Sequence, residues 1–461
     1  MINRRQFIKR AAAAGFITST GLINCGTQNK KPNIIFLLTD DQRWDTMGCM
    51  GNTIIQTPNM DKLASDGVLF KNMFVTTSIC CVSRASIFTG CYARRHKIVD
   101  FKTDFSEQAL AQTYPILLKN AGYYTGFIGK YGVGNNLPAD EFDYWRGIPG
   151  QPVYEQKDEN GQPIHLTHIM GDQSLDFLSA CPKDQPFCLS VSFKAPHVQD
   201  RDPRQFIYDP AYKDMYKETT IPVPKTADPK YYDSFPDFFK ANNEARIRWD
   251  IRFSTPEKFQ ESVKGYYRLL FGVDVVIGRI REALEEQGLA DNTIIVLTGD
   301  NGFYLGEHGL AGKWYGHEES IRVPLVVYDP RLPERLRGQV REEMALNIDI
   351  APTFLSMAGL AVPETMQGRD LAPLMKNEQP EWRDEFFYEH LFDHKTIPKS
   401  EGVVTKRYKY MRYFEQAPVY EELYDLKTDP FEEKNLAGDP EFDAVLQQLR
   451  KKCDSYIGSC S

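Results

Sequence analysis

Beyond its amino terminus the chain has no block of lysine or arginine, and its formal net charge is -8. That balance argues against nucleic acid or an anionic membrane as partner. No run after residue 31 has the length and apolarity of a membrane span. Cysteines number 9 in 461 residues, too sparse for a disulfide-stapled scaffold. Cys181/Cys188 and Cys453/Cys460 are each spaced to close a small loop in an oxidising compartment, and each pair is equally compatible with free thiols. What the chain does have is length, enough for a large core and a smaller appended unit.

The first residues are not fold. Arg4-Arg5-Gln6-Phe7-Ile8-Lys9-Arg10 precedes an apolar run from Ala11 to Ile23, which resembles a twin-arginine export signal. The run ends in Leu22-Ile23-Asn24-Cys25, similar to a bacterial lipobox, with Asn24 where Gly, Ala or Ser is usual. Residues 1–25 are therefore expected to be an export signal with Cys25 as a lipid anchor, and residues 26–31 a polar tether. The alternative is an ordinary cleaved signal in which Cys25 has no function. Either way the mature protein is expected outside the cytoplasm, in the periplasm or as an outer-membrane lipoprotein of a Gram-negative bacterium.

Two apolar runs of strand length, 33–38 and 293–298, lead into acidic pairs, Asp40-Asp41 and Asp300-Asn301. Buried parallel strands read this way, and ligands in open α/β sheets sit at their carboxyl ends. Runs at 125–128 and 187–193 lead likewise to Lys130 and to Lys194 and His197. Helical spacing of aliphatics covers 58–67, 109–121, 259–287 and 349–355. The alternation predicts an α/β fold: a mostly parallel central sheet sandwiched by helices, over residues 32–375. Residues 376–461 change character, with aromatic strands at 386–389, 408–413 and 422–426 and a closing helix at 442–456. They predict a smaller subdomain with an antiparallel sheet. Residues 200–255, rich in aromatics and proline without periodicity, predict a structured insertion at the mouth of a pocket.

Carboxylate and amide oxygens gathered without histidine or thiol suit a hard cation, calcium or magnesium. The decisive motif is Cys80-Cys81-Val82-Ser83-Arg84, followed by Ala85-Ser86-Ile87-Phe88-Thr89-Gly90. It resembles the maturation signature of type I (formylglycine-dependent) sulfatases, members of the alkaline phosphatase superfamily. The resemblance implies that a maturation enzyme oxidises Cys80 to formylglycine, whose hydrate attacks sulfur. It implies one Ca2+, with Mg2+ less favoured, on Asp40, Asp41, Asp300 and Asn301. It also implies that Arg84 binds the hydrate and braces the metal carboxylates, that Lys130 and Lys313 neutralise sulfate oxygens, and that His197 reaches the leaving oxygen. The substrate class so implied is a sulfated mono-, oligo- or polysaccharide, with Tyr144, Trp145, Tyr154 and Trp249 as candidates for stacking on sugar rings.

Two departures stand out. Val82 replaces the usual Pro or Ala of the maturation motif. Gly129-Lys130-Tyr131-Gly132 replaces the family's Gly-Lys-Trp-His, so the histidine that contacts formylglycine is absent. His317, four residues beyond Lys313, is the preferred substitute and His308 the second. Two other readings are kept: a phosphate or phosphonate ester hydrolase of the same superfamily, and a catalytically weakened sulfated-glycan-binding protein.

Overall fold

Residues 30–460 are described by a computed structural model. The export signal, Cys25 and residues 26–29 lie outside the described residues. No described helix is long and apolar enough to cross a membrane.

Eight strands form the central sheet: β1 (Asn33–Asp40), β2 (Val68–Phe74), β3 (Tyr124–Lys130), β4 (Tyr144–Ile148), β5 (Phe187–Pro196), β6 (Thr293–Gly299), β7 (Arg322–Tyr328) and β8 (Gln339–Leu346). Their order is β8-β2-β7-β6-β1-β5-β3-β4. Every neighbouring pair is parallel except those of β7, which runs antiparallel to β2 and β6. β1 lies at the centre, paired to β5 and β6, so the ends of β1, β3, β5 and β6 fall on one edge.

Alternation along β1 explains why both faces need helices. Ile34, Phe36 and Leu38 enter one core with Ile87 and Phe88 of α2 (Cys80–Thr89), Leu118 of α3 (Tyr114–Asn120) and Phe354 of α6 (Ile350–Met357). Ile35 and Leu37 enter the other with Leu63 of α1 (Pro58–Asp66), Met170 of α4 (Leu166–Ala180) and Val273 of α5 (Pro256–Glu286). The helix expected over 109–121 is two pieces, Glu107–Ala111 and then α3. Thr113 between them is extended (φ -73, ψ 147), and Pro115 sits in the first turn of α3, where a missing N–H costs nothing.

A separate antiparallel sheet follows: β9 (Glu385–His390), β10 (Ser400–Thr405), β11 (Tyr408–Tyr413) and β12 (Tyr420–Asp425), in sequence order, with α7 (Asp443–Ser459). β10 was not expected from the aromatic pattern. Phe386, Val403 and Leu449 join the same core as Phe70 and Phe74 of β2, so the small sheet is packed onto the large one. All eight described cysteines, including both candidate pairs, are free thiols.

The start of α1 depends on a distant carboxylate. Asp274 of α5 accepts from the backbone N–H of Met60 at 2.8 Å and of Asn59 at 3.2 Å, and from Asn59 Nδ2 at 2.9 Å. Asp274→Ala would orphan these donors, and it is expected to lower unfolding free energy by about 1–3 kcal/mol, read by denaturant titration.

Candidate active site

Strand ends bring the chemistry together. Asp40 closes β1, and Asp41 turns the chain with φ 69, a conformation its short polar side chain tolerates. Its N–H donates to Asp300 Oδ1 at 3.1 Å, and Asp300 N–H donates to the Thr39 carbonyl at 2.9 Å, which locks the two acidic pairs edge to edge. Asn301 Nδ2 donates to Asp41 Oδ1 at 2.6 Å. Lys130 ends β3 and Lys313 arrives from the loop between β6 and β7. Lys130 Nζ pairs with Asp40 and Lys313 Nζ with Asp41.

Cys80 opens α2, whose ten residues are all buried. Its Sγ lies 2.9 Å from Lys313 Nζ and 3.3 Å from Asp40 Oδ1. Arg84, one turn on, donates from Nε to Asp300 Oδ2 at 2.9 Å and from Nη1 to the Lys130 carbonyl at 2.7 Å and to Ser192 Oγ. His197 follows β5, with Nδ1 donating to the Val198 carbonyl at 2.7 Å and Nε2 3.6 Å from Asp41 Oδ2.

Electrostatics follow from burial. Burial opposes ionisation of Asp40, yet Lys130, His197, Lys313 and Arg84 outweigh it and hold its carboxyl well below the usual range. Asp41 is pushed up to about 7 by burial, against Lys313 and with Asp40 and Asp300 adding to the rise. Burial, with Asp40 second, pushes the Cys80 thiol far up despite Lys130 and Lys313. A protonated thiol is a weak nucleophile, so unmodified Cys80 is poorly suited to attack.

One observation bears on a metal. Asn301 Oδ1 is buried without a hydrogen-bond partner, beside the carboxylates of Asp41 and Asp300. Ligand atoms of Asp40, Asp41, Cys80 and His197 also lie within 4.8 Å of one another, all buried. An orphaned amide oxygen among carboxylates fits a hard cation.

A cavity of about 330 Å³ opens over Cys80, His197 and Lys313. Loops furnish Phe101, Gln151, Asp200, Phe392 and His394 to its walls, and the helix Glu244–Arg252 furnishes Glu244 and Arg248, with Trp314 beside Lys313. The insertion at 200–255 thus reaches the pocket as expected. The aromatic residues lining the cavity differ from the stacking candidates. Tyr154 is fully buried under His165, and Trp145 packs on Phe127 and Phe142. Tyr144 packs on Phe177, and Trp249 is covered by Arg246. Tyr144 and Trp145 lie on β4, Trp249 lies on the helix Glu244–Arg252, and Tyr154 immediately precedes the short strand Glu155–Lys157. Phe101, Phe392 and His394 gave no periodic signal, because loops carry none.

The substitutes for the absent histidine are also placed elsewhere. His317 Nδ1 meets the Tyr304 hydroxyl at 2.6 Å, and its ring stacks on His308 with centroids 4.5 Å apart. Neither is among the residues lining the cavity over Cys80. Their segment folds back under the aromatic residues Phe235 and Tyr424. At Gly132 (φ 76) an added Cβ would meet Arg84 Cδ at 2.7 Å, so the space of a family histidine is held by the guanidinium stem.

Comparison with known proteins gives concordant matches. The sulfatase family model matches residues 32–360, and a model for the carboxyl-terminal part of N-sulphoglucosamine sulphohydrolase matches 306–457. An N-acetylglucosamine-6-O-sulfatase of Bacteroides thetaiotaomicron is 31% identical, over 92% of this chain and 85% of its own length. A multifunctional alkaline phosphatase superfamily protein of Trinickia caryophylli is 26% identical over 92% of this chain and 95% of its own. Among solved structures, one in complex with its substrate D-glucosamine-2-N,6-O-disulfate superposes with a TM-score of 0.82 at 27% identity, covering 94% of this chain and 98% of that one. A phosphonate monoester hydrolase from Silicibacter pomeroyi has a TM-score of 0.79 at 22% identity, covering 93% and 96% of the two chains, a likeness of fold.

Restoring the histidine should therefore harm the site. Gly132→His and Gly132→Ala are both expected to displace Arg84 and lower kcat by at least about tenfold, the left-handed backbone adding about 1–2 kcal/mol of strain. Rates on a sulfate ester, with melting temperatures alongside, check this; a Gly132→His enzyme faster than the parent would overturn it.

Proposed function

Because the chain belongs to the sulfatase family, we propose that it removes sulfate from a sulfated carbohydrate, with Cys80 converted to formylglycine and one calcium ion held by Asp40, Asp41, Asp300 and Asn301. The observation that carries this reading is the position of Cys80 between Lys313 and Asp40 on the floor of a cavity that also holds His197. The carbohydrate class is supported by the relative named an N-acetylglucosamine-6-O-sulfatase and by the neighbour bound to a disulfated glucosamine.

When present, the hydrated aldehyde at residue 80 supplies two hydroxyls, one to attack sulfur and one to expel sulfate, and the cation supplies a Lewis acid for a sulfate oxygen. The chain's own residues do the rest. Lys130 and Lys313 place two ammonium groups where charge builds on nonbridging oxygens. Arg84 fixes the residue-80 turn of α2 against Asp300 and the end of β3. His197, its Nδ1 committed to the Val198 carbonyl, leaves Nε2 as the atom for proton exchange with the leaving oxygen. Residues 32–375 carry this machinery, while residues 376–461 contribute Phe392 and His394 to the wall. Export by residues 1–25 and lipid anchoring at Cys25 would put the enzyme where extracellular glycans are met.

Phosphate or phosphonate ester hydrolysis is the second reading, favoured by the alkaline phosphatase superfamily relative and the phosphonate hydrolase fold. A panel of sulfated mono- and oligosaccharides beside matched phosphate and phosphonate esters decides between them; turnover of phosphorus esters alone rejects the first.

Peptide mass spectrometry of active protein should find formylglycine at residue 80, and Cys80→Ala should abolish turnover with little loss of stability, since so small a truncation leaves little cavity. Full activity with only unmodified Cys80 would sink this mechanism. For the ion, calcium is expected to raise the melting temperature of the intact chain, and Asn301→Ala to reduce that rise by weakening affinity. Elemental analysis returning two zinc ions per chain would assign a different metal chemistry.

A further inference from the structure

The cavity over Cys80 does not close at Gln151 and Asp200. Both residues also line a second, open groove of about 690 Å³, so the cavity over Cys80 and a groove lined by Lys194 and Arg201 adjoin at these two side chains.

The groove's charges are unevenly satisfied. Its two carboxylates have partners: Asp200 accepts from Arg248 at 2.9 Å and Arg252 at 2.8 Å, and Asp202 from Arg204 at 2.7 Å. Its two cations have no carboxylate partner among the described residues. Lys194 is 2% exposed, and its ammonium has the Pro152 carbonyl as acceptor and the Tyr154 ring face at 4.3 Å. No carboxylate pairs with it among the described residues. An ammonium has three donors, and a buried cation without counter-charge is costly. Burial, reinforced by Lys130 and partly offset by Asp40 and Asp200, lowers Lys194 to about 8, the direction expected of a cation short of counter-charge. Arg201, exposed on the same groove, makes no hydrogen bond or ion pair among the described residues.

We propose that this groove is a subsite for a second anionic group of the substrate, a sulfate or a carboxylate on the same or the adjoining sugar, with Lys194 as its principal counter-ion and Arg201 at its rim. The proposal rests on the reading of the chain as a sulfatase of sulfated carbohydrates. It makes the enzyme one that reads two anions: one is cleaved over Cys80, and the other holds the glycan in register.

Binding separates this proposal from that reading. Calorimetry on the Cys80→Ala chain would compare three saccharides sharing one sulfate: one with no further charge, one with a second sulfate and one with a uronate carboxylate. The doubly charged ligand that fits is expected to bind about tenfold more tightly than the singly charged one, as a charge-assisted hydrogen bond supplies. The preferred ligand identifies the group. Lys194→Met should remove the preference while leaving affinity for the singly charged saccharide nearly intact. Arg201→Ala, at an exposed position, should reduce the preference severalfold. Equal affinities in the parent, or a preference unchanged in both variants, would overturn the subsite. If Lys194→Met does not fold, the Arg201→Ala ratio decides. Failure of the parent enzyme to release sulfate from any saccharide would count against the sulfatase reading, whatever the binding series shows.

Discussion

One buried guanidinium holds the site together. Arg84 reaches from α2 to Asp300 after β6, to the carbonyl of Lys130 at the end of β3, and to Ser192 of β5. Asp40 of β1 lies 3.7 Å from its remaining terminal nitrogen. Four strand ends and the helix carrying Cys80 therefore share one cation. Desolvating so polar a group is expensive, and the cost is offset only because Nε and Nη1 meet ionised or carbonyl oxygens in good geometry. Arginine's rigid planar fork can do this; a lysine in its place would satisfy one direction at a time. The same hub explains Gly132. A side chain there would contest the space of the Arg84 stem, so the loop after β3 trades a histidine for room around the guanidinium.

Much of this was legible because the chemistry sits on regular elements. The apolar runs at 33–38 and 293–298 are β1 and β6, and the acidic pairs after them meet as expected. Positions fixed by tertiary context were not. The reversal of β7 cannot be read from Val323, Leu325 and Val326, which would serve a parallel strand equally well. β10 carries no such signal, because Gly402 interrupts its pattern. His317 looked close to Lys313 in sequence, but the α-helical turn Glu318–Ile321 begins just after it, and its ring is carried into an aromatic pocket with Tyr304 and His308. Separation of four residues fixes a spatial relation only along a continuous helix, and none spans 313–317.

Aromatic residues divide by the same logic. Trp145 and Tyr144 lie on β4, whose pairing with β3 directs them into packed layers. Phe101 is 43% exposed and meets Phe392 edge-on at 5.6 Å, while His394 stacks on Phe392. These side chains come from loops of two different sheets. Composition identified an aromatic-rich chain but could not say which rings the cores would consume.

The proposed bond-cleaving residues and the residues of the cavity walls have separate structural origins. The sheet edge supplies acids, lysines and the Cys80 turn, fixed by hydrogen bonds between strands that could not shift without breaking the core. The walls come from the loop at Phe101, the insertion with Asp200 and Arg248, and the β9–β10 connection with His394. Such segments accept changes that the sheet edge does not. The fold shared with a phosphonate hydrolase does not by itself name the ester cleaved, since one fold hosts different chemistries. The ion pairs of Asp200 with Arg248 and Arg252 fit that division. They neutralise the acid shared by the cavity and the groove, and leave Lys194 and Arg201 without a carboxylate partner, which is the charge on which the proposed second-anion subsite rests.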